Sequence, residues 1–207
     1  MKGHFITFEG IEGCGKSTQI ELLANWLSAR NISVICTREP GGTVLGEQMR
    51  ALLKNGTVDT FFSPRAELLL FESSRAQHVD EKILPALQAG KDVLCDRFFD
   101  SSLVYQGSAR KISRSDVEFL NNFAAGGLVP DLTILLDIDP EESLKRLSLR
   151  GENIDRFEQE SLQFFEDVRG GYIELAKKND RFLLIEGKQS KEDIQNAIRR
   201  EYISRFE

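Results

Sequence analysis

The chain has 207 residues, with 27 Lys+Arg against 33 Asp+Glu, for a formal net charge of −6. An apolar share of 41% is enough for one sizeable core, no apolar run approaches the ~20 residues of a membrane span, and the acidic balance argues against general nucleic-acid binding. Three widely spaced cysteines (Cys14, Cys36, Cys95) and only two histidines (His4, His78) argue against a disulfide scaffold and a histidine-rich metal site.

Five short apolar runs read as buried strands: 5–8, 33–37, 92–95, 132–138 and 181–185. Helical patterns lie between them. Residues 17–30 put Ile20, Leu23, Ala24 and Leu27 on one face. Residues 65–89 form a long helical stretch with a break expected near Pro85. Residues 113–125 and the last helix open with Ser113/Asp116 and Ser190/Asp193 in capping-box spacing. Pro140 takes a first helical position, followed by Glu141 and Glu142. Leu162, Phe165, Val168, Tyr172 and Leu175 mark one more amphipathic helix, interrupted by Gly170-Gly171. Strands alternating with helices imply parallel βαβ units in a three-layer α/β domain, with ligands bound at the carboxyl ends of the strands. Glu9 and Glu12 follow the first apolar residues too closely for a secretory leader. With no CxxC pair, a reducing cytoplasm is the expected home.

After the first strand comes Gly10-Ile11-Glu12-Gly13-Cys14-Gly15-Lys16-Ser17-Thr18, which fits G-x-x-x-x-G-K-[ST] between a strand and a helix. Glycines let successive backbone N–H groups converge on phosphate oxygens, and the helix start adds a positive dipole end. Lys16 can neutralise β- and γ-phosphate charge, and the Ser17 hydroxyl can ligate Mg²⁺. Nucleotide binding is the expectation.

The other strand ends carry further candidates. Thr37-Arg38-Glu39-Pro40-Gly41-Gly42-Thr43 taken alone reads first as a plain turn with an exposed Arg38, with an anion-binding loop as the other reading. Asp96-Arg97-Phe98 offers a carboxylate for water-mediated Mg²⁺ binding and an arginine for an anion. Phe71 and Arg75 share a helix face, and could be a base-stacking pair or a core phenylalanine beside a solvated arginine. Residues 145–158 hold Lys145, Arg146, Arg150 and Arg156 around Gly151, a pattern suited to a lid carrying arginines to a transferring phosphoryl group.

Together these elements resemble the bacterial thymidylate kinases, P-loop nucleoside monophosphate kinases of the lid-arginine type, over almost the whole chain. The resemblance implies a single domain spanning residues 1–207, with a five-stranded parallel sheet between helices and a mobile lid at about 146–158. It implies transfer of the γ-phosphoryl group of ATP·Mg²⁺ to dTMP in a homodimer. Lys16, Arg97, Arg150 and Arg156 would then be catalytic. Gly10, Glu12, Gly13, Cys14, Gly15, Lys16, Ser17, Thr18 and Arg146 would bind ATP, with adenine between Arg146 and residues 187–189. Glu12, Arg38, Phe71, Arg75, Arg97, Ser102, Tyr105 and Gln106 would bind dTMP, with Tyr105 under the deoxyribose. Ser17 and Asp96 would serve Mg²⁺. The helices around Leu68-Leu69-Leu70 and Phe119 would form the interface, although they read equally as core.

Cys14 departs from the family's small residue at that place, and a thiol in an anion-binding loop is expected to react with thiol reagents unless ATP protects it. Two rivals remain on sequence grounds. Another P-loop small-molecule or nucleotide kinase would lack the Phe71/Arg75/Arg97/Tyr105 set. A nucleotide-dependent switch would need an Asn-Lys-x-Asp element, which the chain does not contain.

Overall fold

The computed structural model describes residues 2–55, 62–149 and 156–207. Five strands form one parallel sheet: β1 (Phe5–Glu9), β2 (Val34–Arg38), β3 (Asp92–Asp96), β4 (Leu132–Asp137) and β5 (Phe182–Glu186). Their spatial order is β2-β3-β1-β4-β5. Each lies within a residue or two of its sequence expectation. The central strand β1 is buried throughout, whereas the edge strands β2 and β5 are partly exposed, as a parallel sheet covered on both faces requires.

Alternate side chains of the strands face opposite layers. Phe5, Val93 and Cys95 pack with Val79, Ile83, Leu87 and Phe98. Ile6, Phe8 and Leu94 belong to the larger cluster. There they join Ile20, Leu23 and Leu27 of α1 (Lys16–Ala29) and Ile194, Ile198 and Tyr202 of α9 (Lys191–Phe206). The register matters for function. Phe8 lies opposite Asp96, and Arg38 also lies opposite Asp96. The carboxyl ends of β2, β3 and β1 therefore deliver Arg38, Asp96-Arg97 and Glu9-Gly10 side by side. Here the chain leaves β1 towards one edge and later returns on its other side with β4, the switch point where such sheets hold ligands.

Two helices have no counterpart in the sequence reading. One is α2 (Val44–Asn55), which opens where Thr43 Oγ1 accepts from Gly46 N at 3.0 Å. The other runs from α5 (Phe99–Ser102) through a π-helical stretch, Leu103–Ala109. The expected break near Pro85 is also different in kind. The helix continues from α3 (Pro64–His78) through a π-helical turn at Val79–Ile83 into α4 (Leu84–Gln88). The proline ring conflicts with the carbonyl four residues earlier, and the widened turn takes up that conflict without ending the helix.

Of the remaining helices, α6 (Arg114–Ala124) starts after Ser113, but the expected capping box does not form. The Ser113 hydroxyl is engaged with Ser115 Oγ at 2.7 Å. The expected cap at Ser190 does form, and Asp139 supplies a further one. Asp139 accepts from Glu141 N before α7 (Pro140–Ser148), and Ser190 accepts from Asp193 N at 3.1 Å before α9.

Helix α8 (Leu162–Lys178) runs unbroken through Gly170-Gly171. A Cβ on Gly171 would come within 2.8 Å of Ser108 Oγ and 2.9 Å of Val104 Cγ1, so this glycine lets α8 close on the π-helical stretch. Gly170 faces open space. Gly170→Ala should therefore stabilise the protein by up to ~1 kcal/mol, and Gly171→Ala should destabilise it by ~1–3 kcal/mol. Urea unfolding of the two variants measures both; shifts of the same sign would contradict this packing.

Candidate active site

The phosphate loop begins at the end of β1. Gly15 adopts a left-handed conformation (φ +101°) and caps α1, which a residue with a Cβ would adopt only under strain. Lys16 is buried within the loop, its ammonium donating to the carbonyls of Gly10 and Ile11 at 3.1 Å each. Ser17 Oγ donates to Asp96 Oδ2 at 3.2 Å. The loop is tied to α7, because Ser143 Oγ donates to Glu12 O at 2.6 Å. Arg146 reaches Gly13 O and Gly187 O at 3.5 and 3.4 Å, so it stands between the loop and residue 187.

One cavity runs from this loop across the carboxyl ends of β2 and β3. Glu12, Gly13, Gly15, Lys16, Ser17, Thr18, Arg38, Phe71, Asp96, Arg97, Ser102, Tyr105 and Gln106 all line it. Sequence-predicted residues from five separate segments are thus brought together. Gly10, Cys14, Arg75, Arg146 and Arg156 are not among its lining residues, and Arg150 lies outside the described residues.

Arg97 is held on both sides of its guanidinium. Its backbone is left-handed (φ 71°), and its Nη2 donates to Glu12 Oε1 at 2.9 Å. Its Nη1 donates to Tyr172 Oη at 3.1 Å and Ser101 Oγ at 3.3 Å. Both hydroxyls lie 2.7 Å from Glu9 Oε2, and Phe98 N donates to Glu9 Oε1 at 2.8 Å. Burial, and then the nearby Asp100 carboxylate, push Glu9 up to about 7. Burial alone would lower the Arg97 pKa; Tyr105 and Glu12 outweigh it and hold the group well above the usual value. Tyr105 donates to both oxygens of Glu12, at 2.9 and 2.7 Å. Arg38 turns to Glu47, at 3.0 and 2.9 Å.

At the far end Phe71 packs edge-on to Phe157, with ring centroids 5.8 Å apart. Arg75, expected to read a base, is enclosed by other side chains. It is 1% exposed and donates to Glu39, Glu72, Ser102 and Asn121. Burial would lower its pKa, but Glu39 and Glu72 more than offset that. Without it the buried carboxylates of Glu39 and Glu72 would lose their guanidinium partner, so it holds α3 against the turn after β2. Glu39 also takes His78 Nδ1 at 3.1 Å, and Thr37 Oγ1 is 2.7 Å from His78 Nε2. Arg156, expected at the phosphates, pairs with Glu67 at 2.6 Å and lies over the rings of Phe62 and Phe157. The residues next to it, Phe157 and Glu158, line the cavity.

The family model described as thymidylate kinase matches residues 8–198. A thymidylate kinase of Thermoanaerobacter sp. (strain X514) is 50% identical over 199 residues, covering 96% of each chain. One of Carboxydothermus hydrogenoformans is 47% identical over 194 residues, 94% of each chain. One of Trichormus variabilis is 46% identical over 201 residues, covering 96% of this chain and 94% of the relative. The chain belongs to the thymidylate kinase family.

Two features of this thymidylate kinase family member were not legible in its motifs. Arg50 and Lys54 line the cavity from α2. They are i and i+4, a signal that becomes readable only once Thr43 is seen to start a helix. Glu9, Ser101 and Tyr172, which brace Arg97, come from segments 92 and 163 residues apart in sequence from Glu9. Cys14 also differs from expectation. It is 2% exposed and packs in the core, with its sulfur 3.6 Å from Lys16 Nζ. Cys95 is buried and Cys36 exposed. Iodoacetamide should modify Cys36 first, slowly near neutral pH because partial burial raises its pKa. Peptide mass spectrometry showing Cys14 labelled before Cys36 would contradict that order.

Proposed function

We infer that this protein transfers the γ-phosphoryl group of ATP to dTMP, giving dTDP and ADP. The observation that carries the reading is one continuous cavity joining a phosphate loop to Arg97, Arg38 and the Phe71 ring, in a chain of this family. The phosphate loop and Lys16 take the ATP phosphates, with adenine between Arg146 and residue 187. Arg97, Arg38 and Arg50 face the dTMP phosphate. Phe71, Ser102, Tyr105 and Gln106 surround its base and sugar.

The hydroxyl of Ser17 and the carboxylate of Asp96 suit Mg²⁺, which takes few protein oxygens and keeps water and phosphate oxygens for the rest. When bound, Mg²⁺ neutralises phosphate charge as it builds up during transfer. The accepting phosphate oxygen is already anionic near neutral pH, so no general base is needed. Catalysis rests on positioning and charge neutralisation. Lys16 supplies charge on the donor side. Arg97 supplies it between the two phosphates, its fork aimed by Glu12 on one side and Tyr172 and Ser101 on the other. Arg150 belongs to the lid at 146–158 and completes the set in this reading. Arg156 closes the lid through Glu67.

The reading extends to a single domain, a cytoplasmic home and a homodimer. No helix among the described residues is long and apolar enough to cross a membrane. Leu69, Phe119 and Phe123 are 52%, 70% and 78% exposed on α3 and α6, an apolar face that supports self-association. The deciding experiment is ADP release by purified protein with ATP, Mg²⁺ and, in parallel, dTMP, dUMP, UMP, CMP, AMP, thymidine and shikimate. Strong release with dTMP, weaker with dUMP and negligible elsewhere is the expected result. Preference for another acceptor would keep the phosphate loop and overturn the base pocket.

A further inference from the structure

Glu67 sits in the first turn of α3, 1% exposed, and is not itself among the residues that line the cavity. Its Oε1 accepts from Gln106 Nε2 at 2.8 Å and from Arg110 Nε at 3.4 Å. Its Oε2 faces Arg156 Nη1 at 2.6 Å. A carboxylate offers acceptors only, and two guanidinium groups keep this one in place, Arg110 on the oxygen it shares with Gln106 and Arg156 on the other. Gln106 is itself 1% exposed and lines the cavity. Its amide has a donor end and an acceptor end. Glu67 can take only the donor end, which leaves the carbonyl oxygen for the cavity, on the same wall system as the Phe71 ring.

We propose that Glu67 is a positioning residue for base selection, fixing Gln106 with its carbonyl towards the nucleotide base. This rests on the reading that dTMP occupies the cavity. A base that suits a fixed acceptor must carry an N–H at the facing edge. Thymine and uracil carry an imide N–H between two carbonyls. Cytosine has a bare ring nitrogen there, so acceptor would meet acceptor, and a buried carbonyl would go unpaired. Thymine and uracil present the same imide edge, so Glu67 separates both from cytosine, not thymine from uracil. In Glu67→Gln the partner can donate as well as accept, and the Gln106 amide is free to turn over.

The test is kcat/KM for dTMP, dUMP and dCMP in wild type, Glu67→Gln, Gln106→Met and the double variant. The preference for dTMP over dCMP should fall by ~10-fold or more in each single variant, the cost of one unpaired buried polar group. It should fall no further in the double variant, because Glu67 acts through Gln106. Loss of activity that is equal on all three nucleotides in Glu67→Gln would overturn the proposal and leave Glu67 as a packing residue. So would multiplicative losses in the double variant. Should Glu67→Gln fold poorly, Gln106→Met still decides: an unchanged dTMP/dCMP preference there overturns the proposal. Failure of the kinase reading shows separately, as absence of dTMP turnover by the wild-type protein, and overturns both.

Discussion

Lys16→Ala should lower kcat by ~10²–10³-fold while leaving the fold intact. An ammonium about 4 Å from a transferring phosphoryl group contributes roughly 4 kcal/mol at an effective dielectric constant near 20, and each ~1.4 kcal/mol is tenfold in rate. Only the part that grows as charge develops in transfer appears in kcat. The loss should therefore fall mainly on kcat, with a smaller rise in KM for ATP and little change in KM for dTMP. The structural cost is small, because Lys16 Nζ bonds to carbonyls of its own loop and to the Cys14 sulfur, not to another element. A melting temperature close to wild type, with kcat lowered as stated, is the expected pair of results. Near-normal kcat would remove Lys16 from the chemistry.

The sheet and the phosphate loop were legible because their signals are local. A short β-branched or aromatic run bounded by glycine or charge can be read as a strand without knowing its partners. The strand–loop–helix context of Gly10–Thr18 is contained within fourteen residues, from Phe5 to Thr18. The clustering of Arg38, Asp96 and Arg97 followed from one general property, that parallel sheets present ligands at their carboxyl ends. The positions of Arg75 and Arg156 were not legible, because the sequence says which residues carry charge and not which charges meet. Arg75 is 36 residues from Glu39 and 46 from Asn121 in sequence, yet it is bonded to both. A helical arginine four residues from a phenylalanine reads the same whether it lines a pocket or fills a cage of carboxylates. The Cys14 sulfur likewise could have faced the phosphates or the core. The direction depends on loop backbone angles that side-chain pattern does not encode.

The same distinction governs the second large effect, at Arg97. Arg97→Ala should lower kcat/KM for dTMP by ~10³–10⁴-fold, within the range assigned to a transition-state arginine. Both kcat and KM should change, since the proposed reading has Arg97 face the acceptor phosphate before transfer and the charge that builds during it. Arg97→Lys should rescue little. A guanidinium fork meets Glu12 with one nitrogen and Tyr172 and Ser101 with the other, and a single ammonium cannot hold both sides in one orientation. The loss should not come from misfolding. Glu9 keeps Phe98 N, Ser101 and Tyr172 as partners without Arg97, and Glu12 keeps Tyr105. The left-handed backbone at residue 97 is anchored independently, by Arg97 N donating to Phe8 O at 2.9 Å. Arg97→Ala should thus unfold within a few degrees of wild type while turning over almost no dTMP. A lysine variant with activity near wild type would mean that Arg97 acts as charge alone, and that its brace of Glu9, Ser101 and Tyr172 serves the fold and not the reaction.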